Sequence, residues 1–108
     1  MYSKQKSLAT PFNQAKDKQE EFIIINLRSR VYLLISHIQN ALNIESLQRI
    51  SYIAQENPDK KILLYCHSGA TAAEFGDKLT KMGYHNIFYL DENFFNLPKI
   101  GFNIQYNT

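Results

Sequence analysis

A single cysteine stands where this sequence is best suited to nucleophilic chemistry. Cys66 closes the apolar run Ile62-Leu63-Leu64-Tyr65 and is followed by His67-Ser68-Gly69-Ala70-Thr71-Ala72. The run reads as a buried strand, the next residues as a tight loop, and 70–82 as a helix. Small residues at Ser68, Gly69 and Ala70 let the loop curl so that backbone N–H groups point inward. Such a nest, joined to a helix N-terminus, attracts anions. A cysteine at its centre is expected to favour the thiolate, the reactive form of the group. The same N–H groups can hold a persulfide or a substrate oxyanion without a metal. A lone cysteine after a buried strand is also commonly a small, inert core residue. On these residues alone both readings stay open.

Other polar residues are weaker candidates. His67 can act as a titrating neighbour of Cys66 or simply point to solvent. Arg28 follows an apolar run, so it either faces the same crevice or pairs with a carboxylate such as Asp91 or Glu92; pairing is the expectation. His37 is expected to be packed and hydrogen-bonded, and His85 to be a solvated turn residue. The three histidines and one cysteine show no metal-ligand spacing, so no metal is expected. Phosphate-transfer chemistry at a cysteine of this kind needs an arginine six residues on, because a planar guanidinium grips phosphate bidentately. Ala72 stands there, and no arginine occurs from 66 to 83.

The elements that must position Cys66 follow from the hydrophobic pattern. Phe22 to Leu27 is apolar without alternation, as in a strand covered on both faces. A helical turn is expected within 28–35 and a short strand at 41–44. Leu47, Ile50 and Ile53 lie at helical spacing in an amphipathic helix over 45–57. The helix over 70–82 is expected to bury Ala73, Phe75, Leu79 and Met82, to expose Lys78 and Lys81, and to end at Gly83. A strand follows at 87–90, then a short helix at 94–100. Of Phe94, Phe95 and Phe102, one is a candidate to line the crevice. Thr10-Pro11 reads as a helix start, with a polar helix over 11–19. Strands alternating with helices imply an α/β fold with a largely parallel central sheet of about five short strands flanked by helices. In such sheets the ligand crevice lies beyond the carboxyl ends of the strands, where Cys66 stands.

With 108 residues, 44% of them hydrophobic and 20% charged, the chain has the length and composition of one domain with a real core. The formal net charge of +2 is too small to suggest nucleic-acid or membrane binding. One cysteine cannot form an internal disulfide, and no apolar run is long enough to span a bilayer. A cytoplasmic location is expected.

In order along the chain, Asn26-Leu27-Arg28, Ser36-His37-Ile38-Gln39-Asn40-Ala41, Cys66-His67-Ser68-Gly69-Ala70-Thr71, Gly83-Tyr84 and the stretch from Leu90 to Ile104 resemble the landmarks of single-domain rhodaneses. The resemblance covers about 20–105 of a single domain over 1–108, with 1–19 as an N-terminal segment. It implies a sulfurtransferase that needs no cofactor. Cys66 would be the catalytic residue, and the loop His67, Ser68, Gly69, Ala70, Thr71 and Ala72 would hold its persulfide; Arg28, at the end of its strand, is a candidate for the pocket. The partners implied are a small sulfur donor or acceptor, or a cysteine of a partner protein. A non-catalytic interaction module of the same fold is the alternative. The family pattern has Asp where this chain has Asn26, Gly at Ser36 and Asn40, Gly-Gly at Glu92-Asn93, and Trp at Leu97. Thr71 resembles the thiosulfate-using branch. That branch has two basic residues after its cysteine, and here only His67 is available. Weak thiosulfate turnover is therefore expected, with less charged persulfide donors favoured.

Overall fold

A computed structural model of the protein describes residues 10–12, 22–33 and 35–106. Five parallel strands form the main sheet: β1 (Thr10–Phe12), β2 (Phe22–Asn26), β4 (Leu42–Asn43), β5 (Lys61–Tyr65) and β6 (Ile87–Leu90). Their spatial order is β1-β6-β5-β2-β4. A second ribbon pairs β3 (Ser36–Ile38) antiparallel with β7 (Ile104–Tyr106). The helices are α1 (Arg30–Leu33), α2 (Leu47–Glu56) and α3 (Ala70–Lys81), followed by a 3-10 helix at Phe94–Ile100. No helix among the described residues is long and apolar enough to cross a membrane.

The unbroken apolar run of β5 has a direct cause. Its side chains alternate between two cores. Ile62 and Leu64 join Ile25, Ile50, Ala54, Ala73 and Leu79 under α2 and α3. Leu63 and Tyr65 join Ile24, Ile38, Phe94, Leu97 and Phe102 on the opposite face. With both faces covered, β5 has no position after the exposed Lys61 at which a polar residue could reach water. Truncating Leu64, which is fully buried, to Ala is worth about 2–5 kcal/mol.

The caps explain where the helices start and stop. Ser46 Oγ accepts from Arg49 N at 3.3 Å, so α2 begins at Leu47, two residues after the sequence suggests. Gly69, at φ 94°, caps α3 in the left-handed region that favours glycine. At the other end Tyr84 N donates to Leu79 O and Gly83 N to Thr80 O, closing the helix.

Three expectations are corrected. Residues 10–12 form a strand and not the start of a helix; the rest of that predicted helix lies outside the described residues. β1 sits at the sheet's edge beside β6, where a proline's missing N–H is tolerated. The β3–β7 ribbon was not expected. Met82 is half exposed, because α3 ends at Lys81 and the chain turns there, while Tyr84 packs against the core. Lys78 and Lys81 do lie on the outer face, paired with Glu74 at 3.4 Å and Asp77 at 3.2 Å.

Candidate active site

Cys66 leaves β5 at its carboxyl end and is 6% exposed. Two backbone donors point at its sulfur: Gly69 N at 3.1 Å and Ala72 N at 3.4 Å from Sγ. They belong to the α3 cap and the first turn of α3, whose N–H groups have no partner within the helix. Gly69 makes this possible, since its positive φ turns the chain back beneath the sulfur. The two donors aimed at the sulfur suit a negative charge there.

The remaining loop residues play other parts. His67, Ser68 and Thr71 are exposed and Ala70 is half-buried. The Thr71 hydroxyl makes no hydrogen bond to the resting Sγ, whose bonds come from Gly69 and Ala72. The His67 carbonyl accepts from Phe94 N at 2.7 Å, which ties the loop to the 3-10 helix. Its ring stands edge-on to Tyr32, with centroids 4.3 Å apart. Desolvation, and then the charge of Arg28, hold His67 below the usual histidine range. At neutral pH it is an uncharged neighbour of the sulfur and not a cation.

The cation comes from elsewhere. Arg28, just beyond β2, is 5% exposed, and its guanidinium lies 3.9 Å from the centroid of Phe94. Such a stacked cation is worth about 0.5–2 kcal/mol. Arg28 N and Nε donate to Asn26 Oδ1 at 2.9 and 3.3 Å, and Nη2 donates to the Ser36 carbonyl. The expected ion pair with Asp91 or Glu92 is not what holds it: rings and neutral oxygens do. Burial lowers the Arg28 pKa, while Tyr65, Tyr32 and Cys66 raise it. An arginine stays protonated through such shifts, so a positive charge stands near the loop, 5.8 Å from the ring of Tyr32, which itself packs on His67.

Beneath Arg28 lies a buried polar floor. Asn26 is fully enclosed, and its Nδ2 finds no acceptor. An unpaired buried donor costs about 1–3 kcal/mol. Asn43 Nδ2 donates to the carbonyls of Asn26 and Arg28, pinning the end of β2. Tyr65 OH accepts from Ile38 N at 3.0 Å, and burial pushes its pKa up to about 12.

Among the aromatic candidates Phe94 adjoins the loop; Phe102 is core, and Phe95 is 85% exposed. His37 lies in the β3–β7 ribbon, packed as expected, but its Nδ1 has no hydrogen-bond partner. His85 is exposed and lines a cavity of about 420 Å³ with Pro58, Tyr84 and Asn86, at the amino ends of β5 and β6. Tyr32 was not singled out from the sequence. Its place four residues after Arg28, on one face of a helical turn, was the available signal.

The rhodanese-like domain family matches residues 7–97. The chain belongs to that family. This rhodanese-like domain is 23% identical over 73 residues to the thiosulfate sulfurtransferase GlpE of Coxiella burnetii, covering 68% of each chain. It is 22% identical over 89 residues to the tRNA uridine(34) hydroxylase of Photorhabdus laumondii, covering 77% of this chain but only 25% of that enzyme. Among solved structures, protein hp1203 of Helicobacter pylori superposes with a TM-score of 0.72 at 27% identity, covering 82% of this chain and 81% of that one. A rhodanese-related protein of Thermoplasma volcanium superposes with a TM-score of 0.67 at 17% identity, covering 87% and 98%. The family supports sulfur transfer as the broad activity.

One departure from the family pattern has a geometric reading in this rhodanese-like domain. Asn40, where the family has glycine, adopts φ 68°. Asparagine is among the few side chains that enter that region readily, so the turn survives the exchange.

Proposed function

We propose that the protein is a sulfurtransferase that carries a sulfane sulfur on Cys66 and passes it to a thiol. The observation that carries this reading is the pair of N–H donors from Gly69 and Ala72 aimed at Sγ. In the first step the Cys66 thiolate attacks the outer sulfur of a persulfide or thiosulfate donor. The donor's sulfur–sulfur bond breaks, and its electron pair leaves with the donor thiolate or sulfite. Cys66 becomes a persulfide whose outer sulfur is anionic. In the second step an acceptor thiolate attacks that outer sulfur, forms its own persulfide and releases the Cys66 thiolate. No net oxidation or reduction takes place.

The loop donors favour the anionic sulfur in both states, and Arg28 adds a positive charge from outside the loop. With His67 uncharged, the loop offers no second cation for a doubly charged donor. Less charged persulfides, or a cysteine persulfide of a partner protein, are the favoured donors.

The test is a mass measurement after incubation with a sulfane-sulfur donor. Wild type is expected to gain one sulfur atom, and Cys66→Ser to gain none. No gain on wild type with thiosulfate, polysulfide or glutathione persulfide overturns the proposal in favour of an interaction module.

A further inference from the structure

Three successive amides open the 3-10 helix, those of Asn93, Phe94 and Phe95, and each finds its partner outside the helical ladder. Asn93 N donates to Glu92 Oε1 at 2.8 Å, and Phe95 N to Asn93 Oδ1 at 3.3 Å. The middle one, Phe94 N, crosses to the Cys66 loop and donates to the His67 carbonyl at 2.7 Å. Glu92 Oε1 also accepts from Asn96 Nδ2 at 3.1 Å, which ties the carboxylate to the helix it starts. The first bond of the ladder itself, Asn96 N to Asn93 O, follows directly. Two side chains thus satisfy the amides on either side of Phe94 N and leave that N–H aimed at the loop.

The carbonyl it holds lies at a sensitive point. His67 stands between Cys66 and Gly69, whose N–H donates to Sγ at 3.1 Å. A peptide unit is planar, so fixing the His67 carbonyl fixes the plane through which the chain enters Ser68 and Gly69. Released, that plane can rotate, and the Gly69 N–H loses its aim. The Ala72 donor depends on it less, because Ala72 already belongs to α3. The His67 ring is held separately, edge-on to Tyr32 with centroids 4.3 Å apart.

We infer that Glu92 and Asn93 are positioning residues for the Cys66 loop: their side chains direct the Phe94 N–H, which holds the His67 carbonyl and so keeps Gly69 N on the sulfur. Neither residue reaches the sulfur itself. The inference rests on the sulfur-transfer reading for its purpose, but its first readout needs no sulfur donor.

The test records amide resonances of the 15N-labelled full chain, and then the rate of persulfide formation with glutathione persulfide. Glu92→Ala and Asn93→Ala should each move the Gly69 amide signal, and the Ala72 signal less. Each should slow persulfide formation, Glu92→Ala on the order of tenfold, as small misplacements near a reacting atom do. Glu92→Gln and Asn93→Asp keep an oxygen for the same bonds and should restore both readouts. Asn86→Ala, at the other end of the sheet, should lower the melting temperature and leave the Gly69 signal in place. Should Glu92→Ala fail to fold, the exposed Asn93 carries the test alone. The inference is overturned if the Gly69 signal stays put in Asn93→Ala, if Asn86→Ala moves it as far, or if Glu92→Gln and Asn93→Asp do not restore it. It is equally overturned if the signal moves while persulfide forms at the wild-type rate. A wild type that gains no sulfur, with the Gly69 signal still behaving as expected, overturns the sulfur-transfer reading and not the positioning.

Discussion

Two asparagines at opposite ends of the sheet do different work. At the amino ends of the strands, Asn86 Nδ2 donates to both the Asn57 and Lys60 carbonyls, at 3.1 and 2.8 Å. Asn57 Nδ2 in turn donates to the Ile53 carbonyl at 2.8 Å, closing α2. Each amide there fastens a turn to the element beside it. At the carboxyl ends Asn26 is more deeply buried and less well satisfied, with one donor unpaired beside a cation. One end spends its amides on holding the fold, and the other tolerates an unfavourable group next to a nucleophile. Such defects gather at functional sites.

The largest effect that would sharpen this contrast is at Phe94, which packs in the core and carries Arg28 on its ring. Phe94→Ala is expected to cost about 3–5 kcal/mol in urea unfolding. It should also slow persulfide formation on Cys66, because the 3-10 helix that holds the loop through the His67 carbonyl loses its packing; unchanged formation would show that the loop keeps its shape without the ring. Next comes Asn86→Ala, expected to cost about 1–3 kcal/mol through two lost hydrogen bonds. Cys66 alkylation and persulfide formation should not change, and the contrast breaks if either falls along with stability.

The smallest effect is at His67. The unfolded chain takes up a proton on this residue near pH 6.5, its ordinary value. The folded protein takes it up only at lower pH. As pH falls below about 6.5 the unfolded state therefore binds more protons, and stability is lost. His67→Gln should show a slightly shallower loss between pH 7 and 5 in thermal unfolding. A steeper loss would mean that the charged imidazole is favoured in the folded state.

Much of this was legible along the chain. The uninterrupted runs of β2 and β5, the small residues after Cys66 and the amphipathic patterns of α2 and α3 are local signals, and each led to the right element. The failures share a cause. β1 and the β3–β7 ribbon are three-residue strands whose partners lie far along the chain, so no local period marks them. The partners of Arg28 come from five elements, and a sequence does not say which rings will meet a guanidinium. A carboxylate such as Asp91 or Glu92 was the expected partner, and the fold supplies aromatic rings and neutral oxygens in its place.

The pairing of Thr10 with Phe88 has a consequence for the order in which the molecule assembles. Closing so long a loop costs more entropy than joining β5 to β6, which only α3 separates. β1 is therefore expected to be the last strand to dock and the first to leave, and amide exchange at Tyr89, whose N–H faces β1, should reveal its departures. The Cys66 loop, at the carboxyl end of β5 and joined to the start of α3, can be complete before that edge closes.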